Sequence, residues 1–195
     1  KVVNSLHRLE NYDGYFFNEV SKRKKIIDLV EELIGKKVKL ISIQAFVKPA
    51  GIGLPAPFHQ DNAYWCIEPS DGLTVWTALD ECDENNGMLK YVIGSHNIGI
   101  VNHVPSLAPG SSQIITDEEL PDGEIFTPHI YPGDSAIHHT MNIHGSNPNK
   151  SGKQRRGFLL CYQSTESKRN FDLFNRYQSN LEDLNPLSLD YLCCF

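Results

Sequence analysis

Apolar residues recur with a helical period over residues 15–35, where Phe16, Val20, Ile26, Ile27, Val30, Leu33 and Ile34 form a stripe. That stripe predicts a helix, and Gly35 suits its C-terminal cap. From residue 38 the period changes to two. In 38–47 (VKLISIQAFV), Val38, Leu40, Ser42, Gln44 and Phe46 fall on one face and Lys39, Ile41, Ile43, Ala45 and Val47 on the other, which predicts a strand. Further strands are predicted at 73–79, 88–93, 125–130, 135–139 and 157–163. Turn signals separate them at Asn85-Asn86-Gly87, Pro132-Gly133-Asp134 and Asn147-Pro148-Asn149. Short strands behind a leading helix predict a mainly β fold with flanking helices, a sandwich or jelly-roll barrel. Residues 98–124 lack a clear period and read as a long functional loop. The tail 165–195 reads as coil mixed with short helix, and no internal repeat is visible.

Composition narrows the function classes. With 40% hydrophobic and 22% charged residues in 195, the chain is ordinary globular material, and a single domain over 1–195 is expected. A net charge of −6 lacks the basic footprint of a nucleic-acid binder, and the run Lys22-Arg23-Lys24-Lys25 reads as a solvated helix face. No apolar stretch approaches the ~20 residues of a membrane span. The expected partner is a small-molecule substrate, with no nucleic acid and no membrane. Five cysteines without a CxxC make a disulfide framework a poor reading and a cytoplasmic or other reducing intracellular compartment the expected one. The first residue is Lys1 rather than methionine, so a trimmed N-terminus is expected.

The candidate chemistry starts at PFHQDNAYW, residues 57–65. On a strand, side chains at i and i+2 share a face, so His59 and Asp61 can share one cation. An HxD pair alone is also a common surface turn. A second histidine, His144, opens HGSNPNKSGKQRRG, followed by Ser146 and Arg155. Two histidines and one carboxylate on one side of a ferrous ion leave the other positions open. An arginine facing a barrel interior needs a carboxylate partner, which a dicarboxylic co-substrate supplies. His138 and His139 read as core or supporting residues rather than ligands, and His96 as a structural hydrogen-bonder. His7, His103 and His129 carry no pattern, and the acidic run Asp80-Glu81, Asp83-Glu84 reads as a solvated turn.

Four stretches match a known family together, in order and spacing: PFHQDNAYW, VWTALDECDENNGMLKYVIGSH (75–96), YPGDSAIHH (131–139) and HGSNPNKSGKQRRGF (144–158). From about residue 2 to residue 164 the sequence resembles the phytanoyl-CoA dioxygenase family of Fe(II)- and 2-oxoglutarate-dependent oxygenases. The resemblance implies a double-stranded β-helix with helices packed on one side. It implies Fe(II), 2-oxoglutarate and O2, with hydroxylation of a C–H bond and release of succinate and CO2. His59, Asp61 and His144 would ligate iron. Arg155, aided by Ser146, would hold the far carboxylate of 2-oxoglutarate. Gln44 and Trp76, with Asn4 from the N-terminal segment, fall where relatives contact the co-substrate, and Tyr64 and Trp65 where they contact substrate. Asp61 is present where related halogenases carry a small residue, which favours oxygenation over halogenation. Ile93 stands where the family commonly has proline before GSH. Two alternatives stay open: a non-catalytic binding member of the same fold, and a cupin-like metalloenzyme that does not use 2-oxoglutarate.

Overall fold

A computed structural model describes residues 4–108 and 110–184. In chain order the elements are β1 (Ser5–Leu6), α1 (Lys24–Ile34), β2 (Val38–Lys48), β3 (Ala56–His59), α2 (Asn62–Trp65), β4 (Ile67–Glu68), β5 (Gly72–Ala78), β6 (Leu89–Val92), β7 (Val104–Ala108), β8 (Ser111–Ile114), β9 (Ile125–Phe126), β10 (Ser135–His139), β11 (His144–Ser146), β12 (Arg155–Ser164), β13 (Lys168–Arg169) and α3 (Phe171–Glu182). A five-stranded sheet of order β1-β2-β12-β5-β10 and a four-stranded sheet of order β3-β11-β6-β9 carry the site. Every strand pair in them is antiparallel. The fold is a jelly-roll-like double-stranded β-helix whose two sheets are not closed by hydrogen bonds.

Alternation along the strands decides what each face does. On β5, Leu73 and Val75 join Val30, Ile43, Leu160 and Tyr162 in a core between the five-stranded sheet and α1. On β5's other face Thr74 and Trp76 line a cavity. β2 repeats the division: Ile43 is core, whereas Gln44, Phe46 and Lys48 line the cavity. On β12, Leu160 and Tyr162 are core, and Arg155, Leu159 and Cys161 line the cavity. Burying each large aliphatic side chain contributes roughly 1.5–3 kcal/mol. One sheet therefore shows a greasy face to a helix and a mixed face to the site.

Several elements differ from expectation. The helix predicted over 15–35 is broken. Phe16–Val20 winds as a wide π turn, Arg23 is extended, and α1 starts at Lys24. Tyr162 Oη donates to Ser21 O (2.9 Å) and Ser21 Oγ to Phe17 O (2.7 Å), so one tertiary and one local bond hold the break. The strand predicted at 125–130 is only Ile125–Phe126, followed by one bridge from Ile130 to Cys82. The stretch 98–124 is not a structureless loop. It contains the β7–β8 hairpin, in which the side chains of Ser111 and Gln113 are buried by hydrogen bonding rather than by apolar character. The tail forms β13 and a 12-residue helix, α3, whose N-cap Asn170 accepts a bond from Leu173 N; residues 185–195 lie outside the described residues. The helices do not share one packing surface: α1 meets β2 and β5, whereas α3 meets α2 and β7. Among the described residues, no helix is long and apolar enough to cross a membrane.

Candidate metal centre

His59 ends β3 and His144 begins β11, and the two residues are register partners on adjacent strands. Each ring is oriented by the chain just beside it. His59 Nδ1 donates to Pro57 O (2.8 Å), and His144 Nδ1 donates to Asn142 O (2.9 Å). With Nδ1 carrying the proton, Nε2 of each ring keeps its lone pair, the tautomer a metal ligand needs. Asp61 is not on the strand. It sits in the turn that opens α2, with helical backbone angles. The turn still brings Asp61 Oδ1 to 3.9 Å from His59 Nε2 and 3.7 Å from His144 Nε2. The three ligand atoms all lie within 4.8 Å of one another, a spacing that fits one cation.

The outer oxygen of Asp61 is spoken for. Thr74 Oγ1 donates to Oδ2 at 2.7 Å, and His138 Nε2 lies 3.3 Å from the same atom. One carboxylate oxygen thus faces His59 and His144, while the other is held by Thr74 on β5 and lies beside His138 on β10. Burial opposes charge on Asp61, but the facing imidazoles of His144, His138 and His59 outweigh it and hold the carboxyl below its usual range. Burial pushes His144 and His59 down, with Asp61 opposing. These directions favour an ionised Asp61 carboxylate beside neutral His59 and His144 rings, the combination that coordinates a divalent ion.

The peptide between His59 and Asp61 is anchored from behind. Gln60 N donates to His103 Nε2 (3.0 Å), and His103 Nδ1 donates to Val101 O (2.8 Å). Burial pushes the His103 imidazole down to about 4, so it stays a neutral acceptor. The Gln60 side chain donates to Gly99 O and Met141 O and accepts from Val101 N. His103, which carried no sequence pattern, is part of the scaffold that aims the HxD turn.

Arg155 is 2% exposed. Its Nη2 donates to Gly87 O (2.9 Å), its Nε has no partner, and its guanidinium lies 5.2 Å from the Trp76 ring centroid. No carboxylate pairs with it among the described residues. Gly157 explains part of the RRG run: a Cβ there would run into the Trp76 indole, so only glycine lets that ring pack on β12. A cavity of about 280 Å³ joins this guanidinium to the three-residue cluster. Ser146, Gln44, Trp76, Tyr64, Trp65 and Asn4 also line it, so the candidate metal, co-substrate and substrate residues named from the sequence all border one chamber. Ser146 is buried on β11, two residues from His144. Gln44 Nε2 donates to Ser42 Oγ (3.2 Å). Tyr64 sits edge-on to His59 and donates to Gln113 O (2.9 Å), tying α2 to the hairpin. Thr74 and Lys48 also line the chamber and were missed. Thr74 was findable, since it shares a strand face with Trp76 at i−2; Lys48 required knowing which residue pairs with Arg155.

Comparison with known proteins bears on the family and the fold. The family described as Phytanoyl-CoA dioxygenase (PhyH) matches residues 3–157. A protein of Stutzerimonas stutzeri named probable alpha-ketoglutarate-dependent hypophosphite dioxygenase is 31% identical over 170 residues, 83% of this chain and 58% of the relative. Human peroxisomal phytanoyl-CoA dioxygenase is 27% identical over 166 residues, 81% of this chain and 48% of the relative. The chain thus spans about half the length of the curated relatives it matches. Among solved structures, EvdO2 from Micromonospora carbonacea var. aurantiaca complexed with 2-oxoglutarate superposes with a TM-score of 0.73 at 22% identity, covering 86% of this chain and 69% of that one. The non-heme alpha ketoglutarate dependent epimerase SnoN from nogalamycin biosynthesis gives 0.69 at 18%, covering 84% and 63%. At these identities the structural matches speak for the fold alone.

Proposed function

Because the chain belongs to the phytanoyl-CoA dioxygenase family, we propose that it is an Fe(II)- and 2-oxoglutarate-dependent dioxygenase that hydroxylates a C–H bond of a small-molecule or carrier-bound metabolite. The observation that carries this reading is one cavity with a His-Asp-His cluster and a buried arginine that has no carboxylate partner among the described residues. The donor set fits Fe(II), since two neutral imidazoles and one carboxylate leave positions open. The Arg155 guanidinium fits the far carboxylate of 2-oxoglutarate, because it is dry, cationic and has an unused Nε donor. An unpaired buried cation is costly, and a dicarboxylate relieves that cost on binding.

In this reading His59, Asp61 and His144 hold the metal, and Arg155 with the Ser146 hydroxyl holds the co-substrate's far end. When bound, iron and 2-oxoglutarate supply oxidative decarboxylation to succinate and CO2 with transfer of one oxygen atom to substrate. The chain's own groups do the rest. Thr74 and His138 keep Asp61 facing inward by its Oδ1 oxygen. Trp76 and Gln44 wall the co-substrate end, while Tyr64 and Trp65 wall the side toward α2, where substrate would sit.

The test is a metabolite screen with Fe(II) and 2-oxoglutarate supplied. It follows succinate release, with mass spectrometry for a gain of one oxygen. Succinate formation that needs both additions and disappears in His59→Ala supports the reading. If the wild-type protein neither forms succinate nor gains thermal stability on adding them, the reading is rejected.

A further inference from the structure

The cavity wall holds a second buried cation. Lys48 is the register partner of Arg155 across β2 and β12, so their side chains leave the same face of the sheet. Lys48 is 9% exposed and lines the same chamber. Its Nζ donates to Leu54 O in the segment between β2 and β3, which uses one of three donors. No carboxylate within the described residues forms an ion pair with it. The two cations are mechanically joined as well. The Lys48 stem lies against Gly87, where a Cβ would collide with it, and the Gly87 carbonyl is the acceptor for Arg155 Nη2.

Two buried cations side by side repel each other and lose hydration, so the arrangement is unfavourable for both without an anion. An anion entering between the cluster and this wall relieves both at once. We propose, on the basis of the dioxygenase reading above, that Lys48 is a second cation of the subsite for the far carboxylate of 2-oxoglutarate and takes up a proton as that carboxylate binds.

The electrostatics of the site agree. Burial first, then Arg155, pushes the Lys48 ammonium down to about 7. The titratable groups that face it are Arg155 on β12, Lys90 on β6 and Cys82 in the turn after β5. At neutral pH Lys48 is therefore divided between its neutral and charged forms. A carboxylate nearby favours the charged form and raises the pKa, so above pH 7 binding draws a proton from solvent. Arg155 cannot act this way, because a guanidinium stays charged throughout.

Calorimetry with the Mn(II)-loaded protein separates the possibilities. 2-Oxoglutarate is titrated at pH 8 in two buffers of different ionisation enthalpy, and the dependence of heat on buffer gives the protons taken up. The wild type is expected to take up a sizeable fraction of one proton. Lys48→Met is expected to take up none and to bind about tenfold more weakly at pH 7, the equivalent of one pKa unit. Lys48→Arg is expected to bind without proton uptake, which keeps the test alive should the methionine variant fail to fold. Equal proton uptake and equal affinity in Lys48→Met and wild type overturn the proposal while leaving the dioxygenase reading intact. Failure of the wild type to bind 2-oxoglutarate at all overturns that reading, and this proposal with it.

Discussion

Arg155 and Arg156 are neighbours in the chain and occupy opposite worlds. Arg155 points into the chamber, 2% exposed, with one carbonyl partner and an unused Nε. Arg156 points outward, its side chain 47% exposed, and holds Asp80 through both Nε (2.9 Å) and Nη2 (2.8 Å). Strand alternation makes the difference, one step along β12. The chain supplies a carboxylate to the arginine that needs it least and withholds one from the arginine that needs it most. An exposed pair contributes little, whereas an uncompensated buried cation is expensive. Such an arrangement makes sense when the missing anion arrives from solution.

Removing the inner cation sharpens the contrast most. Arg155→Leu is expected to weaken 2-oxoglutarate binding by about 30- to 1,000-fold, the loss of a buried charge contact worth roughly 2–4 kcal/mol. The same variant is expected to melt no lower than wild type without 2-oxoglutarate, because a buried unpaired charge is gone. Calorimetry and thermal unfolding read the two effects. A marked fall in the melting temperature would show that Arg155 is a structural residue and break the comparison.

At the other end of the chamber, Thr74→Val removes the 2.7 Å hydrogen bond to Asp61 with little change of shape. Metal affinity is expected to fall by about 10- to 100-fold, in the range for groups that support metal ligands. Titration with Mn(II) or anaerobic Fe(II) checks it, and an unchanged affinity would mean that His138 alone suffices to orient the carboxylate.

Lys48 gives a pH signature. Its folded pKa of about 7 lies below its ordinary 10.5, so between those values the unfolded chain binds more protons than the folded one. Stability therefore rises with pH over this window, by at most about 1.4 kcal/mol per pH unit from this group. Lys48→Met should flatten the difference in unfolding free energy measured between pH 7 and 10. The smallest effect is expected outside: Arg156→Ala should cost no more than about 1 kcal/mol of stability and leave 2-oxoglutarate affinity unchanged.

The degree to which sequence foretold structure follows the same division between apolar and polar logic. β2, β5, β10 and β12 were legible because period-two patterning is strong where one face meets α1. The HxD turn, His144, Ser146 and Arg155 were singled out because the stretches that carry them match a family's motifs together, in order and spacing. The β7–β8 hairpin was not legible, since its buried positions are polar, with Ser111 and Gln113 held by hydrogen bonds, and leave no hydrophobic period. Asp61 was expected on a strand beside His59 and sits instead in a turn. The two still converge because Gln60 and His103 set that turn from behind, a tertiary arrangement no local pattern encodes. Lys48 and Thr74 were missed for the same reason: their roles depend on what lies across the sheet.

The position of β12 bears on where a working fragment can be cut. It is the middle strand of the five-stranded sheet, and the matched family segment stops at residue 157, three residues into it. A shortened version ending there would strip β2 and β5 of their shared neighbour. It would also discard α3, whose Asn180 donates to Gln113 on the hairpin and to the His103 carbonyl just before it. Any dissection of this protein for expression or domain grafting should therefore run at least through Glu182.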